Sequence, residues 1–332
     1  MADADFSGML QLRKEAIKLA ELEVKNFPEL LERSFILTKY AGVSQESSEF
    51  RVMQWNVLAD ALSSSSSNSN FIKCPIQALA WSNRKHRSLQ EILNYNPDII
   101  CLQEVDHFSD YYLPQLQELG YEGLFLPKID SPCLKFADNS GPDGCAIFLD
   151  KERFKLEESE EISLLDQEEK PTNQVALLVK LFDKKEKKGL CCVVTHLKAK
   201  PGFEELRATQ MKSILKSLTN FVESENPEVL VCGDFNAEPS EPVYSVMEEG
   251  NNSYSFQSAY KTASQNEPNF TTYKLRPNGE VKHTIDYVWH SSNLQVTGYL
   301  GIPDEDDIGS DGLPCMSYPS DHLALIFDFC WS

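Results

Sequence analysis

Polar side chains with catalytic or metal-binding potential stand at the ends of apolar runs that are typical of β-strands. Six segments carry them, and together they contain Asn56, Glu104, His196, Asp234 with Asn236, Asp286, and Asp321 with His322. A strand-end cap or turn explains any one of these residues alone, but a charged group that is buried without a partner is costly. Six such segments together indicate that the side chains meet, because α/β proteins build their sites at strand ends.

Carboxylate and amide oxygens, without cysteine, suit a hard cation such as Mg²⁺, or Mn²⁺ in its place. We expect Glu104 and Asn56 to contact this ion, with Asp321 as a further candidate. Protein sites usually hold Mg²⁺ by one or two carboxylates plus phosphate. The ligand types therefore predict a substrate that carries phosphate.

The remaining residues match the needs of phosphate-ester hydrolysis. His196, His322 and Asn236 can donate hydrogen bonds to phosphoryl oxygens as charge shifts in the transition state. Asp234 can orient or deprotonate an attacking water, and Asp286 can fix the tautomer of His322. No serine or cysteine stands in a nucleophile elbow, so direct attack by water is favoured over a covalent intermediate.

Short apolar runs and helical patterns alternate along the chain and would position these side chains. Runs rich in Val, Ile, Phe and Cys predict strands at Phe50–Leu58, Asp98–Val105, Cys145–Leu149, Gln174–Phe182, Leu190–Leu197, Glu228–Phe235, Thr284–His290 and Ala324–Phe329. Apolar residues at helical spacing predict helices at Arg84–Asn94 and Phe203–Glu223. Strands that outnumber the helices favour an α/β sandwich of two sheets with outer helices.

Two stretches differ from this pattern. Residues 1–49 place Leu, Ile and Val among charges, which predicts a helical or partly disordered appendage ahead of a catalytic domain at residues 50–332. The Ser/Asn-rich stretch Ser63–Asn70 predicts a flexible loop.

The charge balance limits the class of partner. The 332 residues carry a formal net charge of −20, which repels polyanions at long range. Nucleic-acid-binding proteins usually carry the opposite sign. An anionic substrate therefore requires a local basic pocket, and nucleic acid is disfavoured as a partner.

Composition also bears on compartment. The nine cysteines contain no Cys-x-x-Cys pair, so reduced core thiols are favoured over a zinc site or disulfides. No apolar run reaches the roughly 18 residues that a membrane span needs. The acidic start resembles no signal peptide, so we expect a cytoplasmic protein, with a mitochondrial isoform open through an alternative start. We expect a monomer.

The ordered motifs QWNVLADAL, CLQEVD, THLKAK, VCGDFNAEP, HTIDYVW and YPSDHL resemble the endonuclease/exonuclease/phosphatase superfamily over about residues 50–330. This resemblance implies a four-layer α/β/β/α sandwich of two mixed sheets flanked by helices. It implies a Mg²⁺ site centred on Glu104 and gives Asp234 the water-orienting role. Phosphate-directed roles are implied for Asn56, His196, Asn236 and His322, with Asp286 as the partner of His322.

The segments PKIDSPCL, NSGPDGCAIF, KPTNQVA and FTTYKLR narrow the resemblance to the branch of the poly(A) deadenylases and their NADP(H) 2′-phosphatase relative. That branch implies substrate-binding roles for Lys128, Asn173, Lys198, Lys200 and Arg276. One departure concerns Lys200, because the relative has Arg there, and Arg grips phosphate in a bidentate fork that Lys lacks.

The resemblance leaves three functions open. The first is removal of the 2′-phosphate from NADP⁺ and NADPH, which the net charge and the absence of an RNA-binding module favour. The second is a poly(A)-specific 3′-exoribonuclease. The third is a catalytically silent scaffold in RNA regulation, which a complete set of catalytic residue types disfavours.

Overall fold

The computed structural model of the protein describes residues 2–42, 48–63, 71–222 and 226–332, with side chains from residue 8 onward. The strands are β1 (Phe35–Leu37), β2 (Phe50–Asn56), β3 (Ile99–Val105), β4 (Tyr121–Pro127), β5 (Gly144–Asp150), β6 (Phe154–Leu165), β7 (Pro171–Asp183), β8 (Lys188–His196), β9 (Glu228–Asp234), β10 (Phe256–Ser258), β11 (Thr272–Arg276), β12 (Gly279–His283), β13 (Asp286–Ser291), β14 (Leu294–Leu300) and β15 (Leu325–Trp331). The α-helices are α1 (Ala2–Glu23), α2 (Asp60–Ser63), α3 (Ile76–Leu79), α4 (Trp81–Tyr95), α5 (Leu113–Glu118), α6 (Glu204–Val222), α7 (Pro242–Glu249), α8 (Ala259–Ser264) and α9 (Glu305–Ile308).

The strands form two mixed sheets and one separate hairpin. The first sheet has the order β1-β14-β15-β2-β3-β5-β4, and the second has the order β10-β13-β9-β8-β7-β6. Strands β2 and β3 run parallel in the first sheet, as do β8 and β9 in the second. Strands β11 and β12 pair only with each other.

Three apolar clusters stack these elements into four layers. One cluster fills the space between the two sheets, where Val52 and Ile147 of the first sheet pack with Leu177 and Val194 of the second. A second cluster packs α4 and α5 on the outer face of the first sheet. A third packs α6 and α7 on the outer face of the second sheet. This arrangement confirms the predicted α/β/β/α sandwich.

All eight predicted strands and both predicted helices are present, with ends that shift by a few residues. Strands β1, β4, β6, β10, β11, β12 and β14 were not predicted. The predicted loop Ser63–Asn70 lies outside the described residues beyond Ser63, as does Glu223 at the end of the second predicted helix. No helix of the described ranges has the length and apolar character needed to cross a bilayer.

Hydrogen bonds, a strand pairing and an ion pair attach the N-terminal segment to the sandwich. The Arg13 guanidinium of α1 donates to Asp150 Oδ2 at 2.9 Å and to the Leu119 carbonyl at 3.0 Å. Strand β1 extends the edge of the first sheet. Arg33 forms a buried ion pair with Glu91 of α4, with 3.6 Å between Nη1 and Oε1. The described part of residues 1–49 therefore packs against the same body, while the domain boundary at residue 49 stays a prediction.

Candidate active site

The predicted polar residues meet where the carboxyl ends of the two parallel strand pairs face each other across the sandwich. His196 ends β8 opposite Asp234 at the end of β9, and Asp286 begins β13 on the other side of Asp234. Asn56 ends β2 in the other sheet, and its Nδ2 donates to Asp234 Oδ2 at 3.0 Å. One hydrogen bond thus joins the two sheets at the point where the sequence predicted convergence.

Asp234 lies at the centre of the cluster. Its Oδ2 is 3.4 Å from His196 Nε2 and 3.8 Å from His322 Nε2. Its Oδ1 accepts the Asn236 backbone N–H at 2.9 Å, and Asn236 Nδ2 donates to the Leu197 carbonyl. Asn236 has φ +52°, a left-handed conformation that turns the chain away directly after the strand. The site therefore gathers around one buried carboxylate.

His322 and Asp286 form a buried dyad beside Asp234. His322 Nδ1 and Asp286 Oδ2 are 2.9 Å apart, and Thr271 Oγ1 donates to the same Oδ2 at 2.6 Å. Burial and the nearby Lys274 lower the pKa of His322. The carboxylates of Asp286, Asp234 and Asp321 outweigh both and raise this pKa to about 9. Burial and the nearby Asp286 raise the pKa of Asp234 to about 6. An imidazolium thus lies next to a carboxylate that can take up a proton near neutral pH.

Glu104 reaches the site from an irregularity in β3. The β3–β5 register shifts between Leu102 and Val105, and Glu104 has φ +56°. Such a bulge re-aims a side chain, and left-handed backbone of this kind occurs at functional sites. The half-buried Glu104 carboxylate accepts the Ala59 N–H at 3.2 Å, and no described lysine or arginine lies within ion-pair distance of it. A carboxylate that forms no ion pair with a described side chain, and feels Lys128 only at longer range, suits a divalent ion whose other ligands are water and phosphate.

The predicted ligand Asn56 donates to Asp234 and accepts the Leu58 N–H through Oδ1 at 3.0 Å. The geometry also offers another group of possible ligand atoms, on Asp234, Asp286 and His322, which lie within 4.8 Å of one another. In that group, Asp286 already accepts hydrogen bonds from His322 and Thr271. The Glu104 carboxylate accepts one backbone N–H, so more of its oxygen lone pairs are available to a metal ion. Glu104 and Asn56 as metal ligands stay a prediction.

Lys128 flanks His196 on one side of the cluster. The Lys128 ammonium is buried, lies 2.6 Å from Asp143 Oδ2 and is 3.3 Å from His196 Nδ1. Burial, followed by the charges of Lys128 and neighbouring cations, holds the pKa of His196 well below its usual value. His196 is therefore a neutral imidazole that accepts from Lys128 at Nδ1 and carries its proton on Nε2.

Lys274 of β11 flanks His322 on the other side, and the sequence analysis missed it. Its Nζ is 2.5 Å from Asp321 Oδ2 and 3.1 Å from His322 Nε2. Burial raises the pKa of Asp321, but Lys274 and His322 outweigh burial and lower it. Asp321 thus pairs with a lysine of the site, and the catalytic or metal-contacting role that the sequence suggested for it stays a prediction. Lys274 lies within FTTYKLR, but a single lysine there gives no local signal of a site, and only its nearness in space to the YPSDHL motif reveals it.

The other predicted substrate-binding residues lie outside this cluster. Asn173 accepts a backbone N–H from the loop after β4 at 2.8 Å. The Lys198 ammonium lies 4.9 Å from the ring centre of Phe203. Lys200 is exposed with φ +86°, and Arg276 is half-buried. No hydrogen bond or ion pair joins the side chains of Lys198, Lys200 or Arg276 to the cluster within the described residues.

The arrangement brings together a carboxylate that titrates near neutral pH, two imidazoles and two ammonium groups. Ammonium and imidazole N–H groups aimed at one point stabilise an anionic tetrahedral group. A carboxylate of this pKa suits proton transfer from water. The site can therefore bind and hydrolyse a phosphate ester.

Comparison with known proteins gives consistent matches. The sequence model of the Endonuclease/Exonuclease/phosphatase family matches residues 53–322. Nocturnin of Xenopus laevis is 43% identical over 323 residues, which cover 96% of this chain and 82% of that protein. The Ccr4 3′-5′-exoribonuclease subunit of Yarrowia lipolytica is 30% identical over 347 residues, which cover 85% of this chain and 48% of that protein. The human Nocturnin catalytic domain with bound sulfate superposes with a TM-score of 0.75 at 41% identity, covering 90% of this chain and 98% of that domain.

Proposed function

This chain belongs to the endonuclease/exonuclease/phosphatase family and within it to the nocturnin group, and we propose that it removes the 2′-phosphate of NADP⁺ and NADPH. The products are NAD⁺ or NADH and inorganic phosphate. The observation that carries the proposal is the pair of lysines at the site, each with its Nζ close to a histidine nitrogen. Two ammonium groups beside two imidazoles place several N–H donors where they can bind the oxygens of a phosphomonoester.

The balance of charge favours a compact substrate over a long polymer. The chain carries a net charge of −20, so its basic groups act over a short range around the site. The structure of the human Nocturnin catalytic domain contains a bound sulfate, an anion with the shape of phosphate. A dinucleotide that bears a single terminal phosphate suits such a local pocket.

The residues of the site divide the work of hydrolysis. Asp234 accepts a proton from the attacking water, for which its pKa of about 6 is well placed. His196 donates from Nε2 to a phosphoryl oxygen. The His322 imidazolium, oriented by Asp286, donates to the phosphoryl group as negative charge develops.

A divalent ion fits the same scheme. Glu104 would hold it, together with Asn56, because no described lysine or arginine forms an ion pair with this carboxylate. Such an ion supplies charge neutralisation and polarises the phosphoryl group. Mg²⁺ is our proposed cofactor, since oxygen ligands and phosphate are its usual partners in proteins.

The test is phosphate release from NADPH by purified protein with Mg²⁺, with NADH measured as the second product. Wild type should release both products in equal amounts, and Glu104→Ala should release neither. Glu122→Ala, an exposed glutamate of β4, is the matched control and should retain wild-type activity. Absence of phosphate release from NADPH and NADP⁺ by the wild type would remove the proposal.

Similarity to the exoribonuclease subunit Ccr4 supports a second candidate, a poly(A)-specific 3′-exoribonuclease. Wild type and Glu104→Ala are therefore assayed with end-labelled poly(A) RNA as well as with NADPH. A ladder of shortened RNA that Glu104→Ala abolishes, with NADPH left intact, would select the nuclease. Loss of the ladder in Glu104→Ala matters because a contaminating nuclease would remain active.

A further inference from the structure

Asp143 is a fully buried carboxylate that has no role in the reaction as described above. It belongs to the segment NSGPDGCAIF and lies just before β5. Its Oδ1 accepts the Ser131 hydroxyl at 2.5 Å, and its Oδ2 accepts from Lys128 Nζ at 2.6 Å. Ser131 Oγ in turn accepts the Asp143 N–H at 3.0 Å. Hydrogen bonds thus hold the carboxylate on both oxygens, and its charge is paired with one lysine.

The backbone fixes this pair at the end of the β4–β5 ladder. The Lys128 N–H donates to the Asp143 carbonyl at 2.9 Å, which places the two residues opposite each other. The following residue is Gly144, where a Cβ would lie 2.2 Å from the Leu126 carbonyl oxygen. The close approach of the two strands therefore requires glycine there, and it keeps Asp143 within reach of Lys128.

Lys128 connects this carboxylate to the reacting end of the site. An ammonium has three N–H donors. One is directed to Asp143 Oδ2, one reaches His196 Nδ1 at 3.3 Å, and the third has no acceptor among the described residues and is able to bind a ligand. His196 Nε2 then faces Asp234 Oδ2 at 3.4 Å. Asp143, Lys128, His196 and Asp234 form one continuous chain of polar contacts.

We propose that Asp143 is a positioning residue for the phosphohydrolase reaction: it holds the Lys128 ammonium against His196 Nδ1, and so fixes the Nε2–H tautomer that faces the phosphoryl group. The inference rests on the proposed function for its kinetic consequence. A carboxylate is required because a buried ammonium is costly without a charge partner. An amide at this position keeps an acceptor for Ser131 but removes that charge.

The kinetic test measures kcat and KM for NADPH in Asp143→Asn. We expect kcat/KM to fall about 10- to 100-fold, the usual range when a group that orients a functional side chain is removed. The matched control is Asp183→Asn. Asp183 is equally buried and pairs with Arg153 at 2.8 Å, at the end of β7 remote from the site. Asp183→Asn should lower thermal stability by a similar amount and leave kcat/KM unchanged.

A double-mutant cycle separates positioning from general destabilisation. If Asp143 acts through Lys128, then Asp143→Asn should cause no further loss of kcat/KM in a Lys128→Met background. A loss that multiplies with that of Lys128→Met, or an Asp143→Asn enzyme within twofold of wild type, would overturn the proposal.

Ser131→Ala replaces Asp143→Asn in the cycle if the latter does not fold. It removes one hydrogen bond and keeps the charge, and we expect a loss of about 2- to 10-fold in kcat/KM. This loss should also vanish in the Lys128→Met background, and its persistence there would equally overturn the proposal.

A substrate-free measurement distinguishes this inference from the proposed function. ¹⁵N NMR of labelled imidazoles, with His196 assigned through His196→Gln, should show the Nε2–H tautomer in wild type and tautomer exchange in Asp143→Asn. An unchanged His196 tautomer in the variant would contradict the positioning role. If wild type releases no phosphate from NADPH, the proposed function fails while this measurement still tests Asp143.

Discussion

Two buried clusters share strand β9, and only one of them has the surroundings of a catalytic site. Cys101, Cys192 and Cys232 stand within β3, β8 and β9, and their sulfur atoms lie within 4.8 Å of one another. Asp234, Asp286 and His322 form a group of the same compactness at the strand ends. Potential metal-binding atoms at short distances are therefore not enough to distinguish a site.

The difference lies in what surrounds each cluster. The thiols face the apolar layer between the sheets, and burial raises the pKa of Cys101 well above its usual value. The carboxylates and imidazole have Lys274 beside His322, His196 with its neighbour Lys128 beside Asp234, and a half-buried Glu104 nearby. Neighbouring charge and access to solvent, more than the ligand atoms themselves, mark the polar group as the reactive one.

The largest effect expected from this comparison comes from the centre of the polar cluster. Asp234→Asn keeps the shape of the side chain and removes its capacity to accept a proton. We expect kcat for NADPH to fall about 10²- to 10⁴-fold, the usual contribution of a general base. The measurement is steady-state phosphate release, with circular dichroism to verify folding. Retention of more than a tenth of wild-type kcat would assign the base to another group.

A smaller kinetic loss is expected from the lysine that the sequence did not reveal. Lys274→Met keeps the length of the side chain but loses the ammonium near His322 and Asp321. We expect kcat/KM to fall about 100-fold, as for loss of one donor that stabilises a transition state. Lys212→Met, an exposed lysine of α6, is the control and should match wild type. Equal kinetics of the two variants would remove Lys274 from the site.

Glu91 is a buried carboxyl group outside the polar cluster. It tests whether such a group affects the free energy of unfolding without affecting kcat. It pairs with Arg33 and accepts from the Tyr318 hydroxyl, and burial raises its pKa from 4.5 to about 7. The folded state therefore binds this proton more tightly than the unfolded chain. The resulting stability is full below the unfolded pKa of 4.5 and is lost as pH rises through about 7.

We therefore expect the free energy of unfolding of wild type, relative to Glu91→Gln, to fall by roughly 3 kcal/mol across that pH window. Urea unfolding of both proteins over a pH series measures this difference. The kcat for NADPH should be the same in both proteins at every pH. A kinetic difference between them would extend the functional site to α4.

The smallest effect is expected in the thiol cluster. Cys192 Sγ lies 3.6 Å from Cys101 Sγ in an apolar environment, so Cys192→Val substitutes one small apolar side chain for another. We expect a change of less than about 1.5 kcal/mol in the free energy of unfolding and an unchanged kcat. Loss of activity or of bound metal in this variant would show that the thiols act as a site after all.

The sequence predicted the strands and residues that have strong local signals. Runs such as DIICLQEV predict a buried strand from composition, and Glu104 at its end predicts a site from the cost of burying charge. Strand β6 was missed because its sequence FKLEESEEISLL is rich in glutamate and largely exposed. Its formation depends on pairing with β7, a contact between strands that a local pattern does not record.

The same reason explains the missed site residues. Lys274 and Asp143 lie in segments that the family resemblance quoted, but each interacts with a partner that is distant in the sequence or across a turn, and the segment alone does not reveal that partner. Resemblance to the family predicted a substrate-binding role for Lys128, but it did not point to the carboxylate that pairs with this lysine. Ion pairs of this kind are set by tertiary packing.

The β11–β12 hairpin belongs to neither sheet and contacts the segment that carries Asp321 and His322. Thr272 pairs with His322, and its hydroxyl donates to the Asp321 carbonyl at 2.7 Å. The other end of the hairpin is an exposed turn at Pro277 and Asn278. A fluorophore attached at Asn278 would lie at the exposed tip of the hairpin whose first strand carries Lys274, so that any movement of this strand on ligand binding would be followed optically without turnover.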